Sequence, residues 1–200
     1  MPSKSRFIQD TEGWKTLSSE THYKTKNLEV VTQTVLTPSR GETPAHWTVV
    51  HRKAAVVVAP VLPDGKFVLI QQERIPVRQA MWEFPAGQID EEDTTDEKIV
   101  SDTAARELRE ETGYELAPGG EMIALGFFFT SQGFTDEHNH LFLARDVVMS
   151  AIGPDNDPHE GITNFKAVTA AELRRMVADN EIINGNTLSL FARLCARGLV

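Results

Sequence analysis

The sequence contains one cysteine, Cys195, among 200 residues, and this excludes an internal disulfide. Because Cys195 lies in an apolar helical pattern, we expect it to be a small buried residue. No apolar run approaches the length needed to cross a membrane, and the first ten residues lack the apolar core of a secretion signal. These absences favour a cytoplasmic protein that does not bind membranes.

Excess positive charge is also lacking. The chain has 20 Lys and Arg against 29 Asp and Glu, so its formal net charge is −9. Such a chain has no general attraction for nucleic acid, and we expect it to bind none. A polyanionic ligand would have to be bound through a metal ion or through individual Arg and Lys side chains.

The hydrophobic content of 40% suits one globular domain with a full core and a small extension. Residues 26–36 alternate and are rich in β-branched side chains, and a turn at residues 38–41 leads to a return strand at 46–50. This hairpin should pack on the main domain or on a second subunit. We therefore divide the chain into an N-terminal strand region, residues 1–50, and a main domain, residues 51–200.

The rest of the chain alternates between apolar strand patterns and helical patterns. Strands are predicted at 54–62, 66–72, 122–129 and 140–144, with turns at 63–65, 86–87 and 118–120. Helices are predicted at 170–180, capped by Thr169, and at 188–197. This order predicts an α/β fold in which a mixed sheet lies between helices. His138 and His140 fit a strand better than a metal site.

A cluster of acids lies on the helix that ends at Gly113, a typical helix-stop residue. Glu107, Glu110 and Glu111 are three and four residues apart, so their carboxylates share one helix face. Like charges this close repel each other, and a divalent cation would relieve the repulsion, since hard oxygen ligands suit Mg²⁺ or Mn²⁺. The alternative is an acidic helix face exposed to solvent.

The start of this helix has two interpretations. Thr94 and Glu97 form the pattern of a capping box, which predicts one helix running to Thr112. Alternatively, the helix begins later, with Asp102 as its cap.

Two segments together resemble the Nudix box of pyrophosphohydrolases. They are Trp82-Glu83-Phe84-Pro85-Ala86-Gly87 and Arg106-Glu107-Leu108-Arg109-Glu110-Glu111-Thr112-Gly113-Tyr114. Gly87 and Arg106 are 19 residues apart (106 − 87), which is five more than in the family pattern. The acid that normally pairs with the arginine is therefore Asp93, Glu97 or absent. The resemblance implies a Nudix α/β/α sandwich with a mixed sheet and an N-terminal extension of antiparallel strands.

The resemblance also implies the chemistry. The main-chain carbonyl of Ala86 and the three glutamates would hold Mg²⁺ or Mn²⁺, and Arg106 and Glu111 would belong to the catalytic machinery. The catalytic base of related enzymes lies on the loop at 150–161. Glu160 is the best-placed acid, with Asp155, Asp157 and His159 as rivals.

Several residues outside the box resemble the ADP-ribose pyrophosphatase branch of the family. Gln72-Glu73-Arg74-Ile75-Pro76 matches its Gln-x-Arg-x-Pro pattern, which implies that Arg74 contacts the substrate diphosphate. Ser131, Gly133 and Glu137 match a substrate-binding loop, although Gln132 replaces the proline of that branch. The branch forms homodimers through N-terminal strands. Trp14 and Trp47 would stack on adenine or pack in the core or dimer interface.

The implied reaction is metal-dependent cleavage of ADP-ribose, or another nucleoside diphosphate sugar, into a nucleoside monophosphate and a sugar phosphate. Two alternatives remain at this point. One is hydrolysis of a dinucleotide or a modified nucleoside triphosphate, and the other is a non-catalytic sensor of nucleotide sugars.

Overall fold

The computed structural model describes residues 8–90, 96–155 and 161–200. Its strands are β1 Lys15–Lys24, β2 Leu28–Leu36, β3 Ala45–Arg52, β4 Ala55–Val61, β5 Phe67–Arg74, β6 Gln79–Glu83, β7 Ala86–Gln88, β8 Tyr114–Phe129, β9 His138–Met149 and β10 Ile162–Val168. Its helices are α1 Glu97–Thr112, α2 Ala170–Ala178 and α3 Gly185–Ala196.

The main sheet has seven strands, and it opens in the middle. Its order is β10-β5-β4-β9-β8, with β4 and β9 parallel and the other neighbours antiparallel. Strands β4 and β5 pair only at Val61 and Phe67, while β6 pairs with β5 and β7 pairs with β4. The short strands β6 and β7 thus occupy the gap where β4 and β5 diverge.

Helices cover both faces of the main sheet, as the predicted α/β/α sandwich requires. On one face, α2 and α3 bury Leu173, Leu190 and Leu194 against the strands. On the other face, α1 buries Ala104 and Leu108. Fully burying such a leucine contributes about 1.5–3 kcal/mol. Among the described residues, no helix is long and apolar enough to span a membrane.

The N-terminal sheet, in the order β1-β2-β3, docks on the main domain through β3. The backbone N–H of Val50 donates to the carbonyl of Phe134 at 2.8 Å, and the hydroxyl of Thr135 donates to the carbonyl of Val50 at 2.7 Å. The outer strand β1 is exposed along its whole length. Sequence analysis predicted β2 and β3 but missed β1, because its mostly polar residues carry no apolar alternation and its pairing with β2 comes from the backbone.

His51 and Asp136 form an ion pair across this docking contact, with Nδ1 and Oδ2 2.6 Å apart. The hydrogen bond to Asp136 raises the pKa of His51 above its usual 6.5, against the effect of burial. Glu29 also favours the protonated ring, whereas Lys24 opposes it. A raised pKa in the folded protein means that protonated His51 stabilises the fold below the unfolded-state pKa. That stabilisation is lost as the pH rises through the higher, folded-state pKa.

We therefore expect the substitution His51→Gln to lower stability most at acidic pH. Parent and variant should differ by about 1 kcal/mol in unfolding free energy near pH 5.5 and by less near pH 8.5. The difference is small even at about pH 5.5 because one partner is partly exposed. Denaturant melts at both pH values measure this difference. Asp136→Asn should remove the same pH dependence, and a difference that grows with pH would contradict the assignment.

Several local predictions were wrong, each for a structural reason. Helix α1 begins after Asp96, whose carboxylate accepts hydrogen bonds from the backbone N–H groups of Lys98 and Ile99. The helix then continues through Asp102, which instead pairs with Lys98 one turn earlier. The prediction of one helix running to Thr112 is therefore confirmed, and the later start capped by Asp102 is wrong. The cap is Asp96, and Thr94 lies outside the described residues.

Four further features differ from expectation. Residues 86–87, predicted as a turn, lie in strand β7, which pairs with β4. Residues 118–120, also predicted as a turn, lie within β8 at a register shift against β9. Cys195 is exposed, because its neighbour Leu194 takes the core position and the next residue is rotated about 100° around the helix. Strand β10, which follows the loop at 150–161, carries no clear apolar alternation and was not predicted.

Candidate active site

The carboxylate of Glu107 lies directly over Gly87. A Cβ atom at position 87 would be 1.9 Å from Cδ of Glu107 and 2.2 Å from both of its oxygens. Only glycine therefore allows this approach between β7 and α1. Glu107 is buried, and carboxylates are almost never buried unless they are paired.

Glu111 is held against the same short strand. Its Oε2 accepts a hydrogen bond from the backbone N–H of Ala86 at 2.8 Å, and the side chain is buried. Two buried carboxylates of one helix face therefore meet the backbone of residues 86 and 87. Two of the three acids of α1 thus face the protein and not solvent.

Arginines contact the acids of this face. Arg106 lies 2.7 Å from Oε1 of Glu107 and 2.7 Å from Oε2 of Glu110. Arg109 also pairs with Glu110, at 3.2 Å. Within the described residues, Glu97 is not among the ion-pair partners of Arg106, and Asp93 lies outside those residues. Arg106 thus forms ion pairs with two of the candidate metal ligands themselves.

The donor chemistry of this face fits a hard divalent cation. The described ranges contain no group of three or more His, Cys, Asp or Glu side chains already arranged to hold a metal ion. This agrees with the orientation of Glu110, which is turned toward Arg106 and Arg109. Carboxylate oxygens of Glu107 and Glu111 nevertheless lie against the backbone at Ala86 and Gly87, and Mg²⁺ binds through such oxygens. A cation would compete with Arg106 for Glu107 and Glu110.

Arg74 projects toward the same region and is held by a buried acid. Its guanidinium binds Glu83 through Nε at 3.0 and 3.2 Å and through the terminal nitrogen at 2.6 Å. Glu83 is 1% exposed, whereas the Arg74 side chain is 35% exposed. Arg74 also interacts electrostatically with Glu111. Glu83 therefore fixes Arg74, the candidate for binding the diphosphate, close to the acidic face of α1.

Sequence reasoning missed the role of Glu83. The signal was present, because a carboxylate between Trp82 and Phe84 in a buried strand needs a partner. The partner lies on the adjacent strand, since β6 pairs with β5. A planar guanidinium that binds a carboxylate through two nitrogens is held in a fixed orientation.

The loop proposed to carry the base is anchored to this site on both sides. The backbone N–H of Asp155 donates to the carbonyl of Glu110 at 3.0 Å. On the other side, the carbonyl of Gly161 accepts from the N–H of Glu73 at 2.9 Å. Glu160, Asp157 and His159 lie outside the described residues.

A second group of candidates meets where the N-terminal sheet docks. The indole N–H of Trp47 donates to the carbonyl of Gly133 at 2.8 Å, and about half of the ring is exposed. Glu137 pairs with Arg52 at 3.1 Å and accepts from the hydroxyl of Thr130 at 2.8 Å. Trp14, just before β1, is also about half exposed. The tryptophans are therefore not core residues of this subunit.

His138 and His140 lie in strand β9, as predicted, and pack against Phe127 and Phe129. Burial, with a smaller effect of His138, lowers the pKa of His140 to about 4. The ring of His140 is therefore neutral at physiological pH. These histidines are part of an aromatic cluster on the sheet.

Comparison with known proteins agrees with this architecture. Residues 50–190 match the NUDIX domain. The chain is 29% identical to "ADP-ribose pyrophosphatase" of Bacillus subtilis (strain 168), over 86% of this chain and 88% of that protein. It is 30% identical to "Methanol dehydrogenase activator" of Bacillus methanolicus, over 87% of this chain and 88% of that protein.

A solved structure described as "Crystal structure of ADP compounds hydrolase" superimposes with a TM-score of 0.73 and 17% identity. The match covers 96% of this chain and all of the other, and it confirms the predicted fold. The acidic face of α1 over Gly87, the sheet that opens around β6 and β7 and the match over residues 50–190 together place this chain in the NUDIX domain family.

Proposed function

We propose that this protein hydrolyses the diphosphate of ADP-ribose, or of a related nucleoside diphosphate sugar, to a nucleoside monophosphate and a sugar phosphate. The observation that carries this proposal is the pair of buried carboxylates, Glu107 and Glu111, held against residues 86 and 87 beside the Arg74–Glu83 pair. Acids beside a fixed arginine suit a metal-bound diphosphate. The name of the Bacillus subtilis relative supports ADP-ribose as the first substrate to test.

Each site residue has a proposed role. Mg²⁺ or Mn²⁺ would be held by the carbonyl of Ala86 and by the carboxylates of Glu107, Glu110 and Glu111. The ion would offset the charge of the diphosphate and lower the pKa of a bound water. Arg106 orients the carboxylates of Glu107 and Glu110. Glu160 would take the proton of the attacking water, a role that contributes about 10²–10⁴-fold. The anchors of Asp155 and Gly161 beside the site support that assignment.

The remaining candidates would bind the substrate. Arg74 would contact the diphosphate, since it is fixed by Glu83 and partly exposed. We assign Trp14 and Trp47 to adenine stacking, and Gly133 and Glu137 to the loop that Trp47 and Arg52 contact. The half-exposed rings support a role in binding, because a flat apolar surface facing solvent suits a base.

We also propose a homodimer through the N-terminal strands, residues 1–50, with the catalytic domain in residues 51–200. The exposed outer strand β1 supports this, because among the described strands only β2 pairs with it, and its other edge can pair with another chain. Light scattering of the purified protein tests the dimer. The cytoplasm is the proposed compartment, in keeping with the single cysteine.

A substrate panel tests the reaction. With Mg²⁺ present, ADP-ribose should yield AMP and ribose 5-phosphate, and chelation of the metal should stop the release. The panel includes other nucleoside diphosphate sugars, a dinucleotide and a modified nucleoside triphosphate. Gln132, in place of the proline of the ADP-ribose branch, favours one of these other diphosphates as second candidate. A protein that binds panel members without turnover would be a sensor, and the proposal would be wrong.

A further inference from the structure

A surface pocket beside Arg74 has no role in the scheme above. It has a volume of about 330 Å³ and is lined by Glu73, Arg74, Ile75, Arg78, Gln79 and Ala80. Through Arg74 the pocket adjoins the acidic face, because Arg74 binds Glu83 and interacts electrostatically with Glu111. Its position places it next to the proposed diphosphate site.

Arg78 adopts an unfavourable backbone conformation in this pocket. Its φ of 57° and ψ of 38° lie in the left-handed region. The other non-glycine residues with positive φ among the described residues are Asp146 and Asn180. Asp and Asn tolerate this region because their short side chains bond locally, whereas arginine gains no such compensation. Arg78 therefore costs about 1 kcal/mol relative to glycine.

Core packing does not require an arginine here. The preceding 3₁₀ turn, Ile75–Val77, buries none of its residues. The turn is held by the N–H of Arg78, which donates to the carbonyls of Arg74 at 2.9 Å and Ile75 at 3.2 Å, and by the fixed φ of Pro76. Glycine would make the same hydrogen bonds with less strain. Strain kept without a packing reason is a sign of function.

Arg78 adds a positive charge to a pocket that would otherwise be negative. Arg74 is neutralised by Glu83, and Glu73 adds a negative charge, so these three groups sum to −1. A phosphate would be repelled from such a pocket. Within the described residues the Arg78 guanidinium forms no ion pair, and its positive charge brings the sum to zero. Arg78 therefore lines the pocket beside Glu73, and among the described residues its charge is not paired with a carboxylate.

We propose that Arg78 binds the phosphate on the sugar side of the substrate, and that this pocket receives the sugar phosphate half. The inference rests on the proposed function. The sugar half is assigned to this pocket because Trp47, proposed to bind adenine, contacts Gly133 at the connection between β8 and β9. The pocket follows β5, and β4 and β9 lie between β5 and β8 in the sheet. Arg74 holds the diphosphate from the acidic face. Arg78 holds the sugar-side phosphate from the turn after β5.

Direct binding of the two product halves tests this proposal without turnover. Ribose 5-phosphate and AMP are titrated separately into the full-length protein by calorimetry. Arg78→Asn, which tolerates the left-handed backbone, and Arg78→Gly should bind ribose 5-phosphate about tenfold more weakly. Both should bind AMP within about twofold of the parent. Arg78→Lys should retain part of the lost affinity, and the melting temperature of Arg78→Gly should equal or exceed that of the parent.

Arg174→Asn is the matched control, because Arg174 is exposed on α2 and its loss changes the net charge equally. It should leave both affinities unchanged. Unchanged ribose 5-phosphate affinity in Arg78→Asn, equal weakening of both ligands, or a parent that binds no ribose 5-phosphate would overturn the proposal. Failure of the proposed function is a separate result, because it shows as absent turnover of ADP-ribose in the substrate panel.

Discussion

Replacing Glu111 with glutamine is expected to lower kcat/KM for ADP-ribose by about 10³-fold while leaving the melting temperature nearly unchanged. The buried Oε2 of Glu111 accepts a hydrogen bond from the backbone of Ala86 at 2.8 Å. Glutamine has the same length, and its amide oxygen can accept the same bond, so the contact between α1 and β7 survives. The negative charge is lost, however, and an amide is a much poorer ligand for Mg²⁺. Steady-state kinetics and a thermal melt of the same preparation measure both effects.

The matched control is Glu115→Gln. Glu115 is exposed on β8, four residues beyond Glu111, and it should change neither activity nor stability. A Glu111→Gln protein with activity within tenfold of the parent would contradict the catalytic assignment. A large fall in melting temperature would instead give Glu111 a structural role.

The substitution Gly87→Ala should reduce kcat/KM by about 100-fold, because the new methyl group would occupy the space of the Glu107 carboxylate. The distance of 1.9 Å from a Cβ to Cδ of Glu107 is far below van der Waals contact. The end of the Glu107 side chain can move more easily than the backbone of β7. We therefore expect the carboxylate to be displaced, at a stability cost of only about 1–2 kcal/mol. Kinetics and denaturant unfolding separate these two effects.

Gly185→Ala provides the comparison for this prediction. A Cβ at Gly185 meets no atom within 4 Å, and its φ is not positive, so the same chemical change should be tolerated. Full activity in Gly87→Ala would show that Glu107 does not need its observed place over β7. If Gly87→Ala lost both its activity and its folded state, unfolding would explain the lost activity, and the prediction of a displaced carboxylate would be wrong.

The acidic face of α1 was predictable because its cause is local. Glu107, Glu110 and Glu111 share one face through the helical period, and Gly113 ends the helix with its N–H bonded to the carbonyl of Arg109. The apolar runs of β4 and β5 were equally clear, because a buried strand needs a continuous run of such residues. The capping box of α2, Thr169 and Glu172, was also visible at short range.

Other features depended on residues far apart in the chain. The partner of Glu83 is on a neighbouring strand, and the contact between Trp47 and Gly133 spans 86 positions. The exposed β1 has almost no apolar pattern, so only its pairing with β2 reveals it. Cys195 differs from Leu194 only in its rotation about α3, which sequence patterns resolve poorly.

By itself the sequence therefore indicated the family through its resemblance to the Nudix box. It also determined the α/β class and the shared helix face of the three acids, because helical spacing and apolar runs act between near neighbours. Tertiary structure decided which acids face the backbone, which arginine each one meets and that Gly87 must lack a side chain. Those contacts arise where β4 and β5 diverge and admit β6 and β7, and no local pattern encodes that gap. The positions of charged groups at the site follow from strand pairing across long separations, whose outcome depends on the whole packed sheet.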